Sequence, residues 1–304
     1  MAQPGGHARG GLSARRWPAL AAARRREVPR VPFAIDGVAV GSVAAAHLGA
    51  LRAWPQWLVV DARGVQLIAT RRDSALAVVN AALRAQGLIL AWRDETYAIL
   101  TQLGEPPLAL IERATARFWG TLTFGAHANG YVADAQGRPT HLWIARRSDH
   151  KATDPGKLDN LVGGGVPFGQ TPHETLLREG FEEAGLDTDR MRQAVPGRVI
   201  ELACDIAEGF MHEQLHSFDL CLPADVTPVN QDGEVAELRC LPVATAIELA
   251  AGDAMTTDAV LVTLDFALRH RLLGPAEHEQ LSAQIPSSSR AQSAHALGAR
   301  QSKL

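Results

Sequence analysis

Between Gly163 and Leu186 the chain passes from three consecutive glycines into a helix with both of its ends marked by residue type. Thr171 suits an N-cap, Pro172 fits the first helical position, and Glu174 completes a capping box. Gly185 marks the C-terminus. Within that frame Glu179, Glu182 and Glu183 stand at i, i+3 and i+4, so one helix face carries three carboxylates. Like charges at this spacing weaken a helix by about 0.2–0.5 kcal/mol per pair. A solvated acidic face tolerates that cost, whereas a divalent cation reverses its sign. Hard oxygen ligands suit Mg²⁺ or Mn²⁺, and Mg²⁺ typically takes few carboxylates together with waters and phosphate oxygens.

The rest of the composition excludes more than it selects. A formal net charge of −3 over 304 residues makes no global electrostatic case for nucleic acid or a membrane surface. No apolar run approaches the roughly 18 residues of a membrane-spanning helix. Cys204, Cys221 and Cys240 are widely spaced, lack metal-ligand spacing and read as reduced thiols. Residues 1–30 hold seven arginines and one acid, Glu27, and read as a disordered or targeting-like extension. Residues 276–304 read as a disordered tail. It ends in Ser302-Lys303-Leu304, a peroxisomal address of only three residues, and the expected compartment is the cytoplasm.

Two folded regions are expected between these ends. In 31–119, Phe33, Ile35, Val38 and Val40 read as strand positions, and Leu58–Ile68 reads as a hairpin around Asp61-Ala62-Arg63-Gly64. Asp73 or Ser74 caps a helix ended by Gly87, a strand follows at Leu88–Trp92, and Leu108–Phe118 suggests another helix. This is a small α+β domain. In 120–275, strands are expected at Tyr131–Asp134, His141–Ala145, Val199–Leu202, His216–Leu220 and Ala236–Cys240, with a last helix from Thr257 to about Arg271.

The stretch from Gly164 to Leu186 closely resembles the Nudix box, Gly-x5-Glu-x7-Arg-Glu-U-x-Glu-Glu-x-Gly-U, with U aliphatic. Gly164, Arg178, Glu179, Glu182, Glu183, Gly185 and Leu186 stand in register. Gln170 replaces the first Glu and Gly180 replaces the first aliphatic. The resemblance implies a Nudix α/β/α sandwich with a mixed sheet. It also implies an Mg²⁺- or Mn²⁺-dependent hydrolase of phosphorus-containing anhydrides. On the same resemblance Glu179, Glu182 and Glu183 bind the cations and Arg178 orients a glutamate. Gly164 lets backbone approach the metal and phosphates, and a further acid enters from a later loop, with Glu237 the candidate and Glu234 the reserve.

Upstream, Trp92-Arg93-Asp94-Glu95-x-Tyr97, Ile111-Glu112-Arg113, Phe124-Gly125-x-His127-x-Asn129-Gly130-Tyr131 and Leu142–Ser148 form a further series. Lys151, Pro155-Gly156 and Leu158–Leu161 continue it. Together they resemble the Nudix subfamily with its own N-terminal domain, which in some fungi is fused to thiamine pyrophosphokinase. That resemblance covers about residues 31–275 and implies hydrolysis of thiamine diphosphate or its oxidised analogues to the monophosphate and orthophosphate. Nucleoside diphosphate derivatives, and a non-catalytic ligand sensor, are the competing readings. Arg146, Arg147 and Lys151 are candidate phosphate contacts, His127 and Asn129 candidate cleft residues, and Met211-His212-Glu213 a candidate loop. The expected partner is a small-molecule diphosphate, without nucleic acid or membrane, and a homo-oligomer is compatible with the sequence.

Overall fold

The computed structural model describes residues 16–285. The arginines before residue 16 and the Ser302-Lys303-Leu304 end lie outside the described residues. A short helix α1 (Pro18–Ala22) leads into β1 (Arg30–Ile35) and β2 (Val38–Ala44), joined at Asp36-Gly37 with φ of 51° and 77°. Two positive φ values in a two-residue loop match the twist of a tight hairpin. After α2 (Leu48–Leu51), β3 (Leu58–Asp61) and β4 (Gly64–Leu67) complete a sheet of order β2-β1-β4-β3, in which β1 and β4 are parallel. Alternation puts Phe33, Ile35, Val65 and Leu67 on its inner face, against Leu76, Val79 and Leu83 of α3 (Arg72–Ala85).

The next segment departs from the expectation. No strand forms at Leu88–Trp92, where Ala91 adopts a φ of 56° that breaks any ladder. The strand lies later, at β5 (Thr96–Ile99), and pairs with β6 (Ala109–Glu112). The helix expected over 108–118 is therefore a strand followed by a single helical turn, α4 (Thr115–Trp119). Ala109 and Ile111 are buried with period two, not 3.6.

The second unit is built on β7 (Leu122–Ala133), β8 (Pro139–Arg147), β9 (Leu158–Asp159) and β10 (Val162–Gly165). It continues through α5 (Pro172–Ala184), α6 (Thr188–Met191), β11 (Val195–Ile206), β12 (Gly209–Cys221) and β13 (Val235–Pro242). It ends with α7 (Val243–Ala250), α8 (Thr257–Arg269) and α9 (Pro275–Gln284). The sheet runs β11-β12-β7-β8-β13, with β10 added on β7 and β9 on β8. β12 and β7 are parallel and the other pairs antiparallel, so the sheet is mixed as expected. One face packs Ala126, Ala128 and Phe218 on Leu176, Ala184 and Met191 of the α5–α6 side. The other packs Leu142, Ile200, Leu202 and Leu215 on α8. The result is the α/β/α sandwich that the box resemblance implies.

Both ends of the described chain join this second core, which corrects two boundaries. Trp17, Leu20 and Ala23 are buried in the α8 cluster, together with Leu281 and Ile285. The backbone N–H groups of Glu27 and Val28 donate to Asp205 Oδ2 at 2.6 and 2.8 Å. Residues 17–28 are thus ordered packing, not a loose extension, and 276–284 is helix. Their apolar side chains are too few to give a periodic signal, and the face they pack on is made largely by α8, far away in the sequence.

Candidate active site

α5 begins as its sequence dictates. Thr171 Oγ1 accepts the Glu174 N–H at 3.2 Å while Glu174 Oε2 accepts the Thr171 N–H at 2.8 Å. Gly185, at φ 64°, ends the helix, and Leu186 closes the last turn by donating to the Gly180 carbonyl at 3.0 Å. This fixed helix lies against β10, and the glycines of β10 are needed there. A Cβ on Gly164 would overlap the Glu179 carboxylate, and one on Gly163 would press on the His127 ring at 2.8 Å.

The three glutamates are not equivalent. Glu183 is buried, 5% exposed, and its Oε2 accepts the Gly163 N–H at 2.8 Å. Burial, then the Glu179 charge, push its pKa up to about 8 against the opposing pull of Lys151. Glu179 is largely buried and its pKa is raised by desolvation, partly offset by Arg178 at 2.8 Å. Glu182 stands further out, 37% exposed, 2.7 Å from Arg178 Nη1. Arg178 therefore bridges two carboxylates. Gln170 Oε1 accepts from Thr175 Oγ1 at 3.0 Å and from Arg178 Nε at 3.5 Å. It thus steadies the arginine and the first helical turn.

Lys151 Nζ lies 3.8 Å from Glu183 Oε1 and pairs with Glu234. Of the two later-loop acids it is the reserve, Glu234, that meets Lys151. Glu237 is corrected: it sits on β13 opposite Arg146, 45% exposed, 2.5 Å from Arg239. Alternation on β8 separates the two arginines. Arg146 pairs with the exposed Asp149 at 2.9 Å, away from the site, whereas Arg147 reaches Asp159 at 2.8 Å.

On the α8 side of β10 lies a cleft of about 360 Å³ between the two units. His127, Arg147 and Gly163–Gly165 line it from the second unit, and Arg93 and Arg113 from the first. His127 Nδ1 lies 3.1 Å from Asn160 Oδ1. Asn129 does not reach the cleft: it is buried beneath α8, donating to the Val262 carbonyl at 3.2 Å and accepting from Asn160 Nδ2 at 3.0 Å. Trp143 is a core residue and Trp92 donates to Asp94 Oδ1 at 2.7 Å, so neither indole lines the cleft. Met211-His212-Glu213 belongs to β12, not to a loop; Glu213 is buried, 2.6 Å from Arg117.

Glu179 and Glu183 do not line this cleft, because β10 stands between. Asp159 links the two places, being close enough to raise Glu183 and to favour the charge on Lys151. Sequence reading passed over Arg93 and Arg113 as site residues, and also Asp159 and Asp258, and it placed Glu213 on a loop. Glu213 had a signal: with Met211 and Leu215 it occupies inward positions of an alternating strand. Asp258, in the first turn of α8, is half-buried, lines the cleft and has a sealed, unpartnered Oδ1. Burial, then Glu213, push its pKa up to about 6.

The donors of α5 fit a hard divalent cation. Two adjacent carboxylates, both raised by burial, are compensated in part by Arg178, Lys151 and the Gly163 N–H. Among the described residues no three His, Cys, Asp or Glu side chains are gathered closely enough to hold an ion unaided. A cation here would complete its shell from backbone, water and substrate oxygens, the pattern Mg²⁺ favours.

Residues 17–123 match the family described as a domain of unknown function (DUF4743), and residues 123–261 match the family described as NUDIX domain. The chain carries a NUDIX domain behind a DUF4743 domain. It is 38% identical over 206 residues to Nudix hydrolase 24, chloroplastic, of Arabidopsis thaliana, covering 67% of this chain and 56% of that protein. Nudix hydrolase 20, chloroplastic, of the same plant is 37% identical over 206 residues, covering 67% and 54%. An uncharacterized protein of Saccharomyces cerevisiae, YJR142W, is 31% identical over 199 residues, covering 62% and 58%. The chain thus spans between 54% and 58% of the length of these relatives. The DUF4743 match takes in α1, in keeping with the ordered packing of Trp17 and Leu20.

Proposed function

We propose that this chain is a divalent-cation-dependent hydrolase that splits a diphosphate linkage, with thiamine diphosphate and its ring-oxidised analogues as substrates. The observation that carries the reading is the glycine strand β10, which has the Glu179 and Glu183 carboxylates against it on one side and a cleft lined by arginines on the other. The names of the plant relatives, both Nudix hydrolases, support hydrolysis. The thiamine assignment rests on the resemblance along residues 31–275.

Glu179 and Glu183, with backbone of the glycine strand, would hold the cation. When bound, it polarises phosphoryl oxygens and lowers the pKa of water. The chain's own groups do the positioning. Gly163 N–H fixes one Glu183 oxygen while the other faces Lys151, Arg178 sets the rotamers of Glu179 and Glu182, and Gln170 braces Arg178. Arg147, already tied to Asp159, presents a fixed cation to a phosphate. Water adds to one phosphorus and the bridging oxygen leaves on the other, so thiamine diphosphate gives the monophosphate and orthophosphate. The test is a panel containing thiamine, oxythiamine and oxothiamine diphosphates, ADP-ribose and a dinucleotide, each with Mg²⁺ and with chelator. Metal-dependent orthophosphate release from the thiamine group supports the reading. Turnover of ADP-ribose or the dinucleotide alone overturns the thiamine part and leaves the hydrolase part standing.

A further inference from the structure

Five arginines line the cleft, and three of them, Arg93, Arg113 and Arg147, come from distant parts of the chain next to the glycine strand. Arg93 comes from the irregular segment before β5, Arg113 from the residue after β6, and Arg147 from the end of β8. Two of them have counter-ions: Arg113 donates to Glu95 at 2.8 Å and Arg147 to Asp159 at 2.8 Å. Arg93 differs. Its backbone N–H donates to Glu112 Oε1 at 2.7 Å, but among the described residues its guanidinium makes no hydrogen bond or ion pair.

That arrangement is unfavourable for a protein that only has to fold. The guanidinium is half-buried, and desolvation, then the charges of Arg113 and Arg147, pull its pKa below the ordinary value. A cation removed from water without a partner costs free energy that any neutral side chain would avoid. The backbone around it is also held in an uncommon conformation. Ala91 and Asp94, which flank the Trp92-Arg93 pair, have φ of 56° and 58°, values that L side chains rarely adopt. Strain of this kind persists where surrounding structure enforces a particular placement.

We propose that Arg93 is a substrate-binding residue that the DUF4743 domain lends to the NUDIX domain, receiving a phosphate group together with Arg113 and Arg147. The ligand class is a phosphate or diphosphate ester. A planar guanidinium with all its donors free suits two oxygens of one phosphate. The N-terminal domain is then part of the binding site, and its contact with the second unit is what assembles the receptor. The identity of the anion as substrate rests on the hydrolase reading; the anion site itself does not.

The test uses the full chain and inorganic pyrophosphate as probe, titrated calorimetrically in chelator so that no metal-bridged binding contributes. Arg93→Gln is compared with Arg93→Lys and with Arg63→Gln, an exposed arginine of the β3–β4 turn outside the cleft. Arg93→Gln should weaken pyrophosphate at least about tenfold, the order expected for a charge-assisted contact, with Arg93→Lys intermediate and Arg63→Gln unchanged. Its melting temperature should equal or exceed that of the parent, which a merely structural arginine would not allow. Binding of Arg93→Gln within twofold of the parent, or an equal loss in Arg63→Gln, overturns the proposal, as does a parent that does not bind the probe. Loss of pyrophosphate binding in a chain that cleaves no diphosphate sinks the hydrolase reading and keeps this one. Turnover with unchanged KM in Arg93→Gln does the reverse.

Discussion

Lys151 Nζ stands 3.8 Å from Glu183 Oε1, so the deepest carboxylate of α5 has a cation of the protein's own beside it. Desolvation of that carboxylate exceeds what one lysine offsets, since its pKa is still pushed up to about 8. Glu183→Gln removes the charge while keeping the shape and an oxygen able to accept the Gly163 N–H. Turnover should fall by roughly 100-fold or more, the size of effect that follows loss of a positioned electrostatic group. The melting temperature should not fall, because repulsion with Glu179 is relieved. Glu179→Gln should behave alike. Steady-state kinetics with Mg²⁺ and thermal melts check both, and near-parent rates in both folded variants would remove the metal-site assignment.

Gly180 occupies the place where the box has an aliphatic residue. A Cβ there would come within 2.5 Å of Met191 Sδ, and Met191 is fully buried beneath α5. Gly180→Leu, which restores the box residue, should therefore destabilise the chain by about 1–3 kcal/mol through overpacking, outweighing its gain of up to about 1 kcal/mol in helix propensity. Urea denaturation measures the difference. A Leu variant more stable than the parent would show that α6 moves aside freely.

What was legible in the sequence was local. The ends of α5, the Leu58–Leu67 hairpin and α3 each rest on capping, turn or periodic residues within one element. The site was less legible because it depends on what covers each face. His127 and Asn129 lie two residues apart on β7 and point the same way. One opens on the cleft while the other is sealed under α8, a difference set by a helix more than 120 residues later. Glu234 and Glu237 look alike in sequence, yet Glu234 turns to Lys151 while Glu237 stays on an exposed strand. Arg93 stands in the Trp92–Tyr97 series, but nothing local marks it as a residue of the cleft.

Asp258 gives a pH dependence with a definite sign. Its folded pKa is raised to about 6 by burial and by Glu213, above the ordinary aspartate value of 3.8. A group raised in this way favours the folded state fully below about pH 4, and that contribution is lost as pH rises through about 6. Asp258→Asn should therefore raise stability at pH 7–8 relative to the parent. The first-turn charge it removes from α8 opposes this by only about 0.3–1 kcal/mol. The variant should also flatten the fall in stability between pH 4 and 7. Thermal melts across that range test it, and a parent and variant with parallel profiles would show that Asp258 stays solvated.

The segment before β1 should be as important to stability as any core strand of the NUDIX domain. Trp17 is 7% exposed against α8, and Leu20 and Ala23 join the same cluster. Beyond α1, Arg24 donates to the Gln284 carbonyl of α9, the Asp205 N–H donates to the Arg25 carbonyl at 2.8 Å, and Asp205 Oδ2 holds two further N–H groups. α1 is therefore a clasp between α8, α9 and the edge strand β11. Trp17→Ala should cost about 3–5 kcal/mol, the usual range for emptying an indole site in a core. A chain started at residue 31 should lose at least that much, because it also removes Leu20, Ala23 and the bonds of Glu27 and Val28 to Asp205. Since α8 carries Asp258 and closes over Asn129, loosening it should raise KM for the diphosphate more than it lowers kcat. Chemical denaturation and kinetics on both variants measure this. A residue-31 start that unfolds at the parent's denaturant midpoint would mean that α1 merely rests on α8 and holds nothing in place.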